Sequence, residues 1–363
     1  MPKKTPFVPK YKQVCEDLAQ RIQRGEFPDG ARLPRERELC ERYQVKRVTV
    51  RRALEMLDQS GLAEKRPGLG TYVRTGRSAA ASTRGNTMVF AMRRNQNDIR
   101  HNVNAFNAML FFLLEQACHE RGLRLQYAGI EDGMAETDQV SDDVLGVLLV
   151  SQHEAEAAES LWKRGIPTIC VNHWDERAVS LLPDNFCGMR LAVDHLNRLG
   201  HTRIGFIRGP LANVNAEERV MGYRYGMHEH NLPVLDGDIA PGHWTMESGR
   251  EAMLHLMEQP DRPTAVIAAS DMMAIGAIDT AHKLGLSVPG DVSIMGFDNI
   301  DMGMYCAPPL TTIGINAPAL ARLAVDTMLT VASSPEHAQD RYVLRLPADL
   351  NTRLSTGPKK QTP

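Results

Sequence analysis

The sequence predicts an α/β protein in two parts, a small basic helical module followed by a larger body of parallel sheets covered by helices. Three observations carry this expectation. From Met88 onward, short apolar strand candidates alternate with helical stretches, the pattern of parallel strands joined by crossover helices. Ahead of them lie three short helical patterns and a hairpin, without such alternation. Between the two, residues 75–86 (TGRSAAASTRGN) are small and polar, the composition of a linker. A chain of 363 residues is expected to form two or three units of ordinary size.

In the first part, Tyr11, Val14, Leu18 and Ile22 make one apolar stripe at helical spacing that stops at Gly25. Pro28, Gly30 and Pro34 predict a turn, and a short helix is expected at about Arg35–Arg42 with Leu39 inward. A third helix is predicted at about Lys46–Gln59, burying Val50, Ala53, Leu54 and Leu57 and stopping at Gly61. Arg51, Arg52 and Glu55 point the other way, flanked by Arg47 and Thr49. Leu62–Lys65 and Thr71–Arg74 read as strands joined through Pro67-Gly68-Leu69-Gly70, residues suited to a hairpin turn.

In the second part the strand candidates are Met88–Met92, Leu123–Ala128, Val144–Val150, Thr168–Asn172, Ile204–Arg208, Ala265–Ala269 and Val292–Gly296. Helical stretches between them include Phe106–Arg121, Gly188–Leu199 and Ala274–Leu284. About 250 residues are enough for two such sheets.

Net charge is only −2, but it divides unevenly. Residues 1–77 hold 18 Lys and Arg against 10 Asp and Glu, and the remainder holds 24 against 34. That asymmetry points to a basic module for a polyanion tethered to an acidic body, with a solvated basic face as the plain alternative. The six cysteines show no CxxC or other metal-ligand spacing and are expected to be small core residues. The twelve histidines form no paired motif, so no metal and no cofactor is expected. His195 and His201 read as structural. The N-terminus lacks an apolar signal segment and the longest apolar run is about Val144–Val150, so the chain is expected in the cytoplasm. No GxSxG, GxxxxGK[ST] or GxGxxG follows a strand, which argues against an enzyme.

Residues 33–73, LPRERELCERYQVKRVTVRRALEMLDQSGLAEKRPGLGTYV, resemble the winged helix-turn-helix of the GntR family of bacterial regulators. The resemblance implies a DNA-binding head in which the third helix enters a major groove, where arginine can meet guanine N7 and O6 bidentately. By position it assigns DNA contacts to Arg37, Lys46, Arg47, Thr49 and Arg51, with the backbone at Gly68 approaching the minor groove. Two positions depart from the family: Arg35 stands where a small residue is usual, and Lys46 replaces a Ser or Thr able to cap the recognition helix. Loss of that cap costs about 1 kcal/mol. The operator therefore does not transfer from relatives.

HLNRLGHTRIGFIRGP (195–210), AEERVMGY (216–223), HWTMESG (243–249), PTAVIAASDMMAIGAIDTAHKLGLSVPGDVSIMGFDNID (263–301) and CAPPLTTI (306–313) resemble the effector domain of the lactose-repressor family. With the GntR-type head, the combination is similar to the arabinose-repressor branch. The resemblance implies a periplasmic-binding-protein-like type I effector domain: two αβα subdomains, joined by three crossovers, that close on a small ligand. Expected limits are 1–74 for the head, 75–87 for the linker and 88–363 for effector binding and dimerisation. The subdomains would be about 88–184 with 314–345, and 185–313 with 346–363.

Ligands of open α/β sheets collect beyond the carboxyl ends of strands. That rule and the family match together nominate Asn172, Arg219, Trp244, Ser270 and Asp298 for the pocket, with Arg219 near the start of a helix. Ser270 departs from the Asn common there, and Trp244 has a plain reading as core. Asp271 reads as a helix N-cap, and Asp184-Asn185 as hinge or pocket. Asn102, Asn104 and Asn107, in the loop 94–107, are candidates from the other lobe. The implied function is a homodimeric repressor that binds double-stranded operator DNA and is released by a small sugar. A purine or nucleoside effector, and a solute-binding protein for transport, are the alternatives.

Overall fold

A computed structural model describes residues 9–23, 26–28, 30–59, 62–66, 70–73, 85–94, 105–131, 140–150, 155–235, 237–333 and 341–360. Chain contacts divide it into a head, made by the first 83 residues, and a body, made by nearly all the rest.

In the head, α1 (Lys10–Gln23), α2 (Glu36–Tyr43) and α3 (Arg47–Gln59) precede an antiparallel pair, β1 (Ala63–Arg66) and β2 (Gly70–Val73). The predicted stripes meet in one core, where Val14, Leu18, Ile22, Leu33, Leu39, Val50, Ala53, Leu54 and Leu57 are all buried. Tyr11 is only half-buried, and Arg52 lies over its ring, 4.3 Å from the centroid. Arg35 cannot accept a hydrogen bond, so α2 is capped from one side only: Glu38 accepts the Arg35 N–H at 2.8 Å. Gln44 takes a left-handed φ of 49° and ends that helix. The stretch expected to be only a turn does more. Leu33 N–H donates to Thr71 O and Val73 N–H to Ala31 O, so residues 31–33 add a third rung to the hairpin.

The body holds two sheets. The first, ordered β13-β7-β6-β5-β3-β4, is parallel throughout: β3 (Thr87–Arg94), β4 (Arg124–Glu131), β5 (Gly146–Val150), β6 (Thr168–Val171), β7 (Val179–Pro183) and β13 (Val343–Leu346). It carries α4 (Ala105–His119) and α5 (Ala155–Lys163). The second is ordered β14-β12-β11-β10-β8-β9: β8 (Ile204–Ile207), β9 (Ile239–Ala240), β10 (Ala265–Ala268), β11 (Ser293–Asp298), β12 (Thr311–Ile315) and β14 (Ala348–Asn351). Only β14 runs antiparallel to its neighbour in that sheet. Its helices are α6 (Asn185–Arg198), α7 (Val214–Glu229), α8 (Met246–Met257), α9 (Asp271–Lys283) and the short α10 (Met302–Tyr305).

The chain passes between the sheets three times, after β7, after β12 and between β13 and β14. After β12, α11 (Ala317–Ser333) returns to the first sheet, where a Cβ on Gly146 would stand 2.2 Å from Met328 Sδ. Parallel strands covered on both faces are apolar along their whole length, and β5 (GVLLV) is buried at every residue. Of the cysteines, Cys118 and Cys170 are core residues whose thiols burial pushes up to about 11 and about 12, whereas Cys187 is exposed. His201 is buried between Thr264, Ser293 and Gly357 O, and burial lowers its pKa.

Candidate functional site

Two places gather the nominated residues, one in each unit. In the head, α3 opens at Arg47, one residue later than expected, with Lys46 O accepting the Thr49 and Val50 N–H groups. Arg47 and Arg51 lie one turn apart, with side chains 69% and 52% exposed, and both donate Nε to Glu36 at the start of α2. The distances are 2.5 Å for Arg47 and 3.1 Å for Arg51. These hydrogen bonds, Arg47's foremost, hold the Glu36 carboxyl below its usual pKa. Arg37 is more exposed still and pairs with Glu41 at 3.1 Å, one turn along α2. Lys46 is exposed and Thr49 half-buried. Gly68 lies outside the described residues.

Sequence reasoning passed over Val48, which is 77% exposed. At about 100° per residue it sits opposite the buried face of α3, a position the helical period could have revealed. An exposed apolar side chain beside two arginines suits contact with a thymine methyl group.

In the body, the carboxyl ends of both sheets converge on a buried polar centre. Asn172 follows β6, Ser270 follows β10, and Asp298 ends β11. Arg219 lies in the second turn of α7, a little beyond the expected helix start, because Asn213 caps that helix by accepting the Ala216 N–H. Its side chain is 4% exposed and is held through Nε and Nη1. Nε donates to Asn185 Oδ1 at 2.8 Å, and Nη1 donates to Ala269 O and, at 3.3 Å, to Asp298 Oδ1. Phe297 lies against one face, 3.7 Å from ring centroid to guanidinium carbon, and Trp244 stands 5.5 Å away. Nη2 makes no hydrogen bond among the described residues.

Burial works against every charge here. It raises the Asp298 pKa despite Arg219, and it raises that of Asp271, where the charge of Asp298 adds to the effect. It lowers that of Arg219, with Asp298 opposing. Asp271 is not the helix cap that its position suggested. Ser270 takes that role, accepting the Met273 N–H at 3.3 Å. Asp271 instead turns inward, accepting Thr312 Oγ1 at 2.5 Å and the Ile300 N–H at 2.8 Å. A Cβ on Gly296 would stand 2.2 Å from its Oδ1, so the strand must be glycine there for the carboxyl to fit.

Backbone strain marks the same centre. Asn172, Trp244 and Asp298 have φ of 56°, 64° and 116°, and Asn299 follows at 59°. Asn and Asp adopt such angles more readily than other residues, but a bulky Trp rarely does, and that angle persists where the surroundings over-determine it. For Trp244 one constraint is visible: its ring covers Gly209, where a Cβ would stand 2.3 Å from Cη2.

The link between lobes was the part that sequence reasoning missed. Asn215, on α7, donates to Asn172 O at 2.9 Å and Oδ1 at 3.2 Å across the junction. Asn185 donates to Asn215 Oδ1 at 2.9 Å and to Glu218 at 3.0 Å. Glu218 in turn receives both Nη groups of Arg345, on β13 of the first sheet. Asp184 caps α6 through the Cys187 N–H at 3.0 Å, so the Asp184-Asn185 pair serves crossover and centre together. From the other lobe, Asn107 lies in α4, where its amide donates to Met92 Sδ at 3.4 Å. Asn102 and Asn104 lie outside the described residues. There is no group of three or more His, Cys, Asp or Glu residues able to hold a metal among the described residues.

Comparison with known proteins bears on both units. Residues 10–73 match the bacterial regulatory proteins of the gntR family, and residues 193–356 match a periplasmic binding protein-like domain. The ribose operon repressor of Escherichia coli (strain K12) is 30% identical over 256 residues, covering 68% of this chain and 77% of that protein. The HTH-type transcriptional repressor PurR of Actinobacillus pleuropneumoniae serotype 3 (strain JL03) is 33% identical over 231 residues, 61% of this chain and 68% of that protein. A LacI transcriptional regulator from a Rhodococcus species superposes with a TM-score of 0.63 at 26% identity, covering 75% of this chain and 99% of that one.

Proposed function

This chain belongs to the LacI-type transcriptional repressors and carries a gntR-family head, and we propose that its effector is a small uncharged sugar. It is a ligand-responsive, DNA-binding repressor. The observation that carries the finer reading is the setting of Arg219. Its charge is already paired with the buried carboxyl of Asp298, which disfavours a phosphate on this floor. What remains is one guanidinium edge beside a carboxylate, a pair suited to vicinal hydroxyls, and the Trp244 ring for the C–H face of a sugar. The name of the ribose operon repressor ties one relative to a sugar operon.

In this reading Asn172, Arg219, Trp244, Ser270 and Asp298 line the pocket, with Ser270 acting mainly as the cap of α9. Arg37, Lys46, Arg47, Thr49, Arg51 and Gly68 meet DNA. The domains are the head at 1–74, a linker at 75–87 and the effector part at 88–363. A homodimer places two heads on a roughly two-fold operator. Closing the lobes through Asn172 and Asn215 changes how the pair of heads is held, and the operator is released. The reading places the protein in the cytoplasm and gives it no catalytic role; among the described residues no helix is long and apolar enough to cross a membrane.

A thermal-shift screen of free monosaccharides, their phosphate esters and purine bases tests the ligand. A ligand that prefers the native state stabilises it by about 2.7 kcal/mol at a hundred times its Kd. A free sugar is expected to raise the melting temperature and its phosphate ester is not. The Trp244 ring beside buried amides favours a second reading, a purine base; stabilisation by a purine and by no sugar would establish it.

A further inference from the structure

Glu36 stands at the DNA-reading surface with the wrong charge for it. It begins α2, is 25% exposed at its side chain, and has both carboxylate oxygens turned to the recognition helix. A negative group beside a polyanion opposes binding to any duplex, whatever the sequence. One plain explanation is the favourable place of an acidic residue in the first turn of a helix. That explains a carboxylate at this position, but not why two arginines from another helix converge on it.

The atoms involved suggest what the carboxylate does. Arg47 and Arg51 each donate Nε and no Nη to Glu36. Among the described residues, the Nη groups of both arginines make no other hydrogen bond. A guanidinium held through Nε keeps its paired Nη edge for something else, and that edge matches guanine O6 and N7 or a phosphate bidentately. Arg47 and Arg51 are four residues apart on one face of α3, so a single carboxylate fixes the direction of both forks. Left alone, two long side chains of this exposure would sample many rotamers and order only on binding.

We propose that Glu36 is a positioning residue for sequence reading, which orients Arg47 and Arg51 before DNA arrives at the expense of affinity for DNA in general. The proposal rests on the head binding DNA through α3. It makes a demand that a purely structural role does not: removing the charge strengthens sequence-independent binding while it weakens sequence discrimination.

The test uses the full-length protein. The wild type first selects a duplex from a random pool, and binding to that duplex and to poly(dI-dC) is then followed by fluorescence anisotropy. Glu36→Gln is expected to weaken the selected duplex tenfold or more while binding poly(dI-dC) at least as tightly as the wild type. A pool reselected with this variant loses preference at the bases the wild type specifies. Glu36→Asp keeps the charge but not the reach, so discrimination falls without any gain on poly(dI-dC). An unchanged ratio of the two affinities in Glu36→Gln would overturn the proposal. So would a parallel loss on both duplexes accompanied by a lower melting temperature of the head, the mark of a scaffold residue. Should the wild type select no duplex at all, the DNA reading fails first and the role of Glu36 with it.

Discussion

Arginine is used in opposite ways in the two units. In the head, Arg47 and Arg51 are more than half exposed, anchored at one atom each, with their terminal edges open to solvent. In the body, Arg219 is buried, bonded to Asn185, Ala269 O and Asp298, and pressed against Phe297. If the exposed pair meets DNA as proposed, it releases counterions and its contribution depends on salt. The buried one sits where salt does not screen and where every partner missing is a large cost. On the proposed reading, DNA recognition and the holding of a small neutral molecule use the same side chain at different depths.

Removing the buried arginine should have the largest effect. Arg219→Met leaves the buried Asp298 carboxyl without its cation and is expected to destabilise the body by about 3–5 kcal/mol, seen as a lower calorimetric midpoint. A loss below about 1 kcal/mol, the range of an exposed pair, would erase the contrast between the units. At the surface, Arg47→Ala should leave the melting temperature of the head unchanged. It should remove about 1–3 kcal/mol of base discrimination, to be read by footprinting. A footprint identical to the wild type would show that α3 docks differently.

Smaller effects sharpen the picture of the centre. Gly209→Ala pushes a methyl into the Trp244 ring and is expected to weaken the stabilising ligand about tenfold, or about 1.4 kcal/mol, by titration calorimetry. Unaltered affinity would return Trp244 to the core. The pH dependence of stability gives the finest test. Asp298 has a folded pKa raised by burial, so the native state binds the proton more tightly than the unfolded chain. Its contribution is fully present below the ordinary value of 3.8 and is lost as pH rises through the raised one. Asp298→Asn should remove that decline with rising pH, while it also removes ligand binding.

Much of the architecture was legible because it rests on local pattern. The stripes of α1 and α3 and the apolar run of β5 are properties of short windows, and windows are what sequence reasoning sees. Beyond β7 (VSLLP), apolar and buried at every residue yet not among the predicted strands, what escaped notice was polar or marginal. Strand β12 (TTIGI) is threonine-rich, β13 is half-exposed at the edge of its sheet, and the buried face of α7 includes Gly222, Gly226 and Asn215. At the centre, the strand-end rule and the family resemblance nominated Arg219 and Asp298, which the fold brings into contact. Asn185 was read only as hinge or pocket, and Asn215 and Glu218 went unnominated, for one physical reason. Burial of an amide or a carboxylate is made favourable by its partner, and Asn185 and Asn215 have partners 30 or more residues away. The same distance explains why Glu36 was read only as part of a helix start, since its role depends on arginines 11 and 15 residues further on.

The most direct test of the account joins its two units in one titration. The full-length protein, held on its selected duplex, is titrated with the free sugar that most raises its melting temperature, and duplex binding is followed by anisotropy. The account predicts that the sugar weakens duplex binding tenfold or more, and that Asp298→Asn keeps its duplex affinity but no longer responds. A sugar that stabilises the body while leaving duplex affinity unchanged would contradict it.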